Sequence, residues 1–368
     1  MQIVDCHGHI FPPLAEPCGF ASSAEHRLHL QWGMHTHRAQ PVVRSRDGAT
    51  VSERHLWDSD DPSETGRKED VDFRVDGNGR LAWTVDGEDH YVQFLSPGTR
   101  HCDSPAETII AQMDYIGVET MVLQNDHLYG NSAGIFKAAM ERFPGRFIGL
   151  AQVEEGSAWQ DREIERLEDQ ITESGMSGLY FTLNGFMRSG WKETYAAGAF
   201  DDFWTTVDRL GVPVFWVFPA ETPWGGFLQE MNRFADWFAR FPRIRSVIVH
   251  GWPTAAFDDG SGNIRWPGVV ARIQEDFPVF TEVLYPIAWG RDHAYPYGAA
   301  IRHVRQFHDR FGASRMIWGS DMPNVERYCT YRQSLDYVLL NSGFLTKTER
   351  AAVFGGNCLS LFRPDDGR

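Results

Sequence analysis

The sequence predicts a closed (β/α)8 barrel, or TIM barrel, with a large insertion after the first strand. Most of the strand candidates are continuous apolar runs, the pattern of strands that are buried on both faces. From residue 104 onward, segments with helical periodicity separate them, as in a parallel sheet crossed by helices. An open doubly wound sheet is the alternative, but it would not usually need eight evenly spaced units. The strand candidates are MQIVDC (1–6), ETMVLQ (119–124), FIGLAQV (147–153), SGLYFTL (177–183), VPVFWVF (212–218), RSVIVH (245–250), VFTEVL (279–284) and RMIWGS (315–320).

The helices are predicted from apolar residues at helical spacing and from capping signals. In SPAE (104–107), Ser104 is expected as N-cap, Pro105 as the first helical residue and Glu107 as the partner in a capping box. That helix should run to about Gly117. Further helices are expected near 135–143, 158–174, 200–210, 224–241, 270–277, 297–311, 330–341 and 346–353.

Residues 18–103 interrupt this alternation. The stretch is polar, and its segment 73–94, FRVDGNGRLAWTVDGEDHYVQF, predicts a three-stranded meander around two DG turns. The barrel domain would then comprise residues 1–17 and 104–368. Because the βα side of a barrel carries the active site, we expect the insertion to form a lid or a dimer contact.

Composition narrows the class of function. The 368 residues carry a formal net charge of −15 without a Lys/Arg cluster, which is unfavourable for binding nucleic acid or an anionic membrane. The five cysteines are scattered and lack a CxxC pair, which fits a reducing cytoplasm rather than a disulfide framework. No apolar run approaches the roughly 20 residues of a membrane span. We therefore expect a cytoplasmic protein that acts on a small molecule.

Four polar side chains follow predicted barrel strands. His7 and His9 end the first strand, and residues i and i+2 of a strand point to one side, so both imidazoles can reach one metal ion. Asp5 should share the face of His7 and orient it. His250 follows the sixth strand and Asp321 the eighth; either alone reads as a turn residue. Together, imidazoles and a carboxylate at one barrel mouth are typical of a metal hydrolase.

Several motifs make the chain recognisable: DCHGHIF, ERFPGRFIGLAQV, IVHGWP, WGSDMPN and FGGNCLSLF. With these motifs the sequence resembles the amidohydrolase superfamily, in the branch of aminocarboxymuconate-semialdehyde decarboxylase, resorcylate and related benzoate decarboxylases, and pyrone-dicarboxylate hydrolase. The resemblance implies that His7 and His9 are metal ligands. It implies that Asp321 is a ligand and a carrier of the proton, and that His250 is the acid/base residue beside the metal.

The sequence departs from this family at the fifth strand. Metal-dependent members typically end that strand in His-Pro, whereas VPVFWVFP places Phe218 at the position. His250 could complete the ligand set, Glu221 or Glu282 could supply an oxygen, or the protein could work without a metal. We favour one divalent metal per chain, zinc or manganese, because the other ligands and their strand context are present.

Residues for the substrate are expected around the mouth. His127, Asn184 and Arg188 follow strands or adjoining turns and are candidates for the rim. A carboxylate inside a barrel must be paired or functional, which singles out Glu282. An aromatic wall for a ring substrate would include Phe218, Trp252 and Trp289.

A second HxH pair, His35 and His37, lies in the insertion. No apolar run supports it, so we interpret it as an exposed polar loop; the alternative is a segment folded over the mouth.

The expected function is metal-dependent decarboxylation of a small aromatic or muconate-like carboxylic acid. The alternatives are hydrolysis of a lactone, an amide or a ring C–N or C–O bond, and a metal-free member of the family. Because dimers are common in the family, we expect a homodimer.

Overall fold

Eight parallel strands form one sheet in chain order, as the sequence predicts for a (β/α)8 barrel. The computed structural model describes residues 1–37, 40–283, 286–289 and 294–363, without the side chains of residues 288 and 289. The amide of Cys6 donates to the carbonyl of Trp318 at 3.2 Å, and Gly8 pairs with Met322, so the eighth strand returns to the first. The barrel strands are Val4–Gly8, Thr120–Leu123, Phe147–Gln152, Gly178–Thr182, Val214–Val217, Ser246–Ile248, Val279–Glu282 and Met316–Ile317.

Most helices of the barrel lie close to the predicted positions, but Thr254–Phe257, Pro286–Trp289 and Asn357–Leu361 were not predicted. The barrel helices are Ala106–Ile116, Ala133–Arg142, Asp161–Thr172, Asp201–Leu210, Phe227–Arg240, Thr254–Phe257, Gly268–Asp276, Pro286–Trp289, Gly298–Phe311, Tyr331–Leu339, Lys347–Ala351 and Asn357–Leu361.

The predicted capping box at the first of these helices is wrong. Pro105 is the N-cap of helix Ala106–Ile116 and no side chain caps it. The hydroxyl of Ser104 donates instead to the carbonyl of His9 at 2.8 Å. Ser104 therefore anchors the segment that carries a candidate metal ligand.

The strands are buried on both faces, as their continuous apolar runs indicate. In the fifth strand, Phe215 and Val217 belong to the cluster inside the barrel, with residues such as Val122. Trp216, between them, belongs to the cluster that the strands form with the surrounding helices. This alternation determines which residue at each strand end faces the mouth.

The insertion folds as a helix and an antiparallel sheet over its own apolar core. The helix is Ser23–Thr36, and the core includes Leu30, Met34 and Trp83. The five strands, in the order in which they pair, are Thr50–Val51, Val42–Arg44, Glu88–Gln93, Arg80–Val85 and Arg74–Gly77.

The insertion helix lies against the βα loops of the barrel. The imidazole of His26 contacts the carbonyl of Leu128 at 2.8 Å, in the turn that follows the second barrel strand. The indole of Trp191, after the fourth strand, donates to the carbonyl of Pro62 at 3.1 Å. These contacts place the insertion at the mouth, on the side of the second to fourth strands.

In the described part of the chain, no helix combines the length and the apolar character needed to cross a lipid bilayer.

Candidate metal centre

Three side chains from the first and eighth strands converge at the barrel mouth. His7 Nε2 lies 3.0 Å from His9 Nε2, and Asp321 Oδ1 lies 2.9 Å from His9 Nε2 and 3.5 Å from His7 Nε2. All three residues are buried. Within the described ranges, these residues form a group whose ligand atoms could bind one metal ion.

The partners of the other imidazole nitrogens decide what this group can bind. His7 Nδ1 lies 2.8 Å from Glu282 Oε2, and His9 Nδ1 contacts the carbonyl of Gln124, so both Nδ1 atoms are donors. In neutral imidazoles the two Nε2 atoms then present lone pairs toward each other and toward the carboxylate of Asp321. Such a group is repulsive unless a proton or a cation lies within it, so the donor set fits a divalent metal.

Glu282 orients His7 and does not contribute an oxygen to the cluster. Its Oε2 accepts from His7 and from the amide of His250, each at 2.8 Å, and its Oε1 accepts from Gln124 Nε2 at 2.9 Å. With both oxygens bonded and the side chain buried, Glu282 is placed to orient His7, and its contact with a metal or a substrate stays a prediction. Glu221, the other predicted oxygen donor, is exposed in a short hairpin.

The ionisation of His7 and Asp321 follows from this arrangement. Burial alone would lower the pKa of His7, but the charge of Glu282 raises it to about 9. Burial alone would raise the pKa of Asp321, but its bond to His9 and the neighbouring imidazoles lower it. When no metal is bound, the proton therefore belongs to His7, and Asp321 stays a carboxylate.

Asp5 holds the first strand to the eighth beneath the cluster. Its carboxylate accepts from the amide of His7 at 3.1 Å, from the amide of Ser320 at 2.8 Å and from the hydroxyl of Tyr331 at 2.7 Å. Burial raises its pKa to about 6 against the effect of these bonds. The side chain thus fixes the backbone of both strands that carry the ligand candidates.

Asn324 and Tyr129 support the cluster from the side of the insertion. The Asn324 amide donates to Asp321 Oδ1 at 2.8 Å and to the hydroxyl of Tyr129 at 2.6 Å. The Tyr129 ring stacks on His9 with centroids 4.5 Å apart. Sequence reasoning missed both residues, although Asn324 stands in the motif WGSDMPN.

His250 lies beside the cluster but outside the group of ligand atoms. Its ring stacks on His7 with centroids 5.1 Å apart. Burial and the charge of His7 lower its pKa to about 4. His250 and Asp321 have φ angles of 67° and 63°, a left-handed conformation that non-glycine residues adopt at a cost and that is frequent at functional sites. These angles turn both side chains toward the mouth.

An apolar cavity of about 620 Å³ adjoins His250. Phe218, Phe227 and Phe257 supply its aromatic walls, and the backbone after the sixth strand closes one side. Trp252 is buried behind this wall, where its indole donates to Gln274 at 3.1 Å. The side chain of Trp289 lies outside the described residues.

Phe218 packs among aromatic rings at the end of the fifth strand. Its ring stacks on Trp216 with centroids 5.7 Å apart and contacts Phe234 of helix Phe227–Arg240 edge to face at 5.1 Å. The ring thus continues the face of the strand that packs against the helices.

The predicted rim residues lie apart from the metal cluster. His127 is buried and contacts Glu155 Oε2 at 2.8 Å, whose charge raises the pKa of His127 to about 10 although burial lowers it. Asn184 is half-buried at the start of the turn Leu183–Ser189. The guanidinium of Arg188 is not free at the rim, because it pairs with Glu25 and Glu64 of the insertion.

The prediction of an exposed loop at the second HxH pair is wrong. His35 lies in the last turn of helix Ser23–Thr36, and His37 is its C-cap. His37 contacts Gln40, whose amide donates to the hydroxyl of Tyr328 at 2.8 Å, just beyond the eighth strand. Burial and Arg327 lower the pKa of His37 to about 3. This end of the helix is folded onto the barrel.

Comparison with known proteins identifies the relatives of this architecture. The model of the amidohydrolase family matches residues 4–363. None of the curated proteins matches the sequence. A probable 2-pyrone-4,6-dicarboxylic acid hydrolase from Acinetobacter baumannii has a similar structure, at 15% identity and a TM-score of 0.56, over 98% of this chain and 99% of that one. The 2,6-dihydroxybenzoate decarboxylase from Rhizobium matches at 17% identity and a TM-score of 0.51, over 70% and 87% of the two chains.

Proposed function

Because this chain belongs to the amidohydrolase family and is an enzyme, we propose that it is a metal-dependent decarboxylase of a small aromatic or muconate-like carboxylic acid. One observation carries the proposal: His250 lines the apolar, aromatic cavity and also stacks on His7 of the cluster of His7, His9 and Asp321. A flat acid can place its ring in the cavity and its carboxylate at the cluster.

His7, His9 and Asp321 would hold one divalent ion, zinc or manganese. Bound there, the ion would polarise a substrate oxygen and fix the carboxylate in place. Glu282 keeps the lone pair of His7 directed at the site through the bond to Nδ1, and Asn324 holds Asp321. The insertion, residues 18–103, would act as a lid that keeps water from the reacting carbon.

The chemical step breaks the bond between the ring carbon and the carboxylate. Carbon dioxide leaves, and the electron pair that remains on the ring carbon takes up a proton. His250 lines the cavity and Asp321 belongs to the cluster; because the pKa values of both are lowered, either side chain would first take this proton from solvent and then pass it to the ring carbon. The aromatic walls hold the substrate ring in a fixed orientation while the carboxylate departs.

A second candidate is hydrolysis of a lactone, an amide or a ring C–N or C–O bond. In this case Asp321 would take a proton from water, and His250 would protonate the leaving group. The lowered pKa of Asp321, which keeps it a carboxylate able to accept a proton, favours this reaction.

The test is carbon dioxide release from a panel of hydroxybenzoates and muconate-like acids, with lactones and amides in parallel. We expect release from at least one acid, and loss of it in His250→Asn. A panel that releases none while a lactone or an amide is consumed would reverse the ranking.

Metal analysis of the purified protein decides the cofactor. We expect about one ion per chain and loss of activity in chelator. A chain that lacks metal and keeps full activity in chelator would refute the metal-dependent reaction.

A further inference from the structure

A pair of imidazoles lies where the insertion helix meets the turn that follows the second barrel strand. His29 of the insertion helix and His127 of the turn after the second strand stack with centroids 5.1 Å apart. Both are buried, with exposed fractions of 5% and 2%. Among the described residues, His29 Nε2 and His127 Nδ1 are buried without a hydrogen-bond partner. Because buried polar atoms are nearly always bonded, these two atoms on neighbouring rings are open to a hydroxyl or a water oxygen.

One imidazole is a donor and the other an acceptor. His127 Nε2 faces the carbonyl of Val153 at 3.0 Å and Glu155 Oε2 at 2.8 Å, so this nitrogen carries hydrogen. The buried charge of Glu155 favours the imidazolium, which leaves Nδ1–H as the donor without a partner. No carboxylate in the described part of the chain pairs with His29, and burial keeps it neutral, so its Nε2 can offer a lone pair.

The charges around the pair favour an uncharged ligand group. Arg188 is the nearby cation, but three glutamates, Glu25, Glu64 and Glu154, already pair with it. An incoming carboxylate would therefore meet excess negative charge, whereas a hydroxyl group would not. The carboxylates that act on the imidazolium of His127 are Asp126, Glu154 and Glu155.

The pair is within reach of a small molecule bound at the metal centre. The loop that carries His127 touches His9 at both ends, through the carbonyl of Gln124 and through the ring of Tyr129, stacked at 4.5 Å. His127 follows Gln124 by three residues, which span at most roughly 10 Å. A ring acid whose carboxylate lies at the cluster can bridge this distance when its ring points toward the insertion instead of into the cavity beside His250.

We propose that His29 and His127 form a subsite for an uncharged hydroxyl group of the substrate. The hydroxyl oxygen accepts from His127 Nδ1–H, and the hydroxyl hydrogen is donated to His29 Nε2. The inference rests on the proposed function in one respect, that the carboxylate of the same substrate lies at the cluster of His7, His9 and Asp321. The substrate class is thereby narrowed to hydroxylated ring acids.

The test is isothermal titration calorimetry of the zinc-loaded full chain with matched ring acids. We expect 3-hydroxybenzoate or 4-hydroxybenzoate to bind about 10- to 100-fold more tightly than benzoate, the range for a hydrogen bond to a charged group. The corresponding dicarboxylates, isophthalate and terephthalate, should bind no more tightly than benzoate.

Variants test whether the tighter binding of hydroxybenzoates than of benzoate depends on the two imidazoles. His29→Phe keeps a ring against Phe20 and His127 but removes both nitrogens, so it should lose the gain and keep the affinity for benzoate. His90→Phe is the matched control, because His90 stacks on Trp83 in the insertion sheet at 6.3 Å, and it should keep the gain. If thermal unfolding shows that His29→Phe is not folded, His127→Gln replaces it with the same expectation.

The proposal is overturned if neither hydroxybenzoate binds more tightly than benzoate, if no probe binds, if a dicarboxylate shows the larger gain, or if the folded variant keeps the gain. Because calorimetry needs no turnover, the two proposals fail separately. A gain that depends on His29 in a protein that releases no carbon dioxide refutes the decarboxylase alone.

Discussion

Replacing Glu282 with glutamine should weaken metal binding although Glu282 contributes no ligand atom. Its carboxylate accepts from three nitrogen donors, His7 Nδ1 at 2.8 Å, the amide of His250 at 2.8 Å and Gln124 Nε2 at 2.9 Å, and from the thiol of Cys6 at 3.7 Å. A glutamine amide has one oxygen to offer. If that oxygen keeps the first two bonds, the amide nitrogen faces the donor of Gln124. Gln124 can avoid this contact only by turning its amide, which breaks its 2.6 Å bond to the carbonyl of Cys6.

The magnitude follows from the loss of charge at His7. A hydrogen bond to a charged group contributes about 1.5–3 kcal/mol, and losing residues that orient a ligand typically lowers metal affinity by roughly 10- to 100-fold. We expect Glu282→Gln to fall in that range, measured by competition with a chromophoric chelator at fixed pH. The matched control is Glu230→Gln, since Glu230 is also fully buried but bonds to Thr222, away from the cluster. Metal affinity within about twofold of the wild type, in a variant with an unchanged melting temperature, would refute the orienting role.

Three further predictions concern turnover, pH and the insertion. His7→Ala and Asp321→Asn should each abolish turnover and keep the circular dichroism spectrum of the barrel; wild-type rates in either would contradict the site. The folded-state pKa of His127, about 10, lies above its usual 6.5, so its contribution to stability is complete below about pH 6.5 and is lost as pH rises toward 10. Chemical denaturation should therefore show wild type losing stability relative to His127→Gln from pH 7 to 10, and a constant difference would contradict the ion pair with Glu155. Arg188→Ala should lower the free energy of unfolding by no more than about 1 kcal/mol, because the ion pairs of Arg188 are partly exposed, but it should speed limited proteolysis of residues 18–103. An unchanged cleavage rate would show that Arg188 does not hold the insertion to the barrel.

The barrel and its cluster were predictable because local patterns carry them. A strand buried on both faces must be apolar throughout, so a continuous apolar run such as VPVFWVF predicts a barrel strand. His7 and His9 share one strand end, and the spacing i, i+2 alone brings them together. Asp321 and His250 could be located because a polar residue directly after a buried strand can only lie at the mouth.

The insertion helix was not predictable, because it is not amphipathic. Its sequence SAEHRLHLQWGMHT buries polar residues such as His26, His29 and Gln31 as well as Leu28 and Leu30. The helix lies between the insertion sheet and the barrel, so almost every face is covered and no period of 3.6 residues appears. For the same reason His37 was mistaken for a loop residue.

The partners of the candidate ligands depend on contacts between distant parts of the chain. Glu282 was noticed as a carboxylate within the barrel, but only the packing of the seventh strand beside the first turns it toward His7 Nδ1. Ser104 illustrates the opposite error. Its hydroxyl is well placed in sequence to cap a helix, yet the carbonyl of His9 lies within 2.8 Å and takes the bond. Competition of this kind is decided by the fold.

The structure shows the surroundings of Phe218, which stands where the family resemblance implies a histidine at the end of the fifth strand. Phe218 stands where a ligand was expected, so the change reads as histidine replaced by phenylalanine at the metal. In the structure, however, the inward residues of this strand are Phe215 and Val217, and Phe218 packs with Trp216 and Phe234 on the helix side. A histidine at residue 218 would meet the same aromatic rings. The fifth strand thus contributes its last aromatic ring to the wall of the cavity beside His250, and the candidate ligands come from the first and eighth strands.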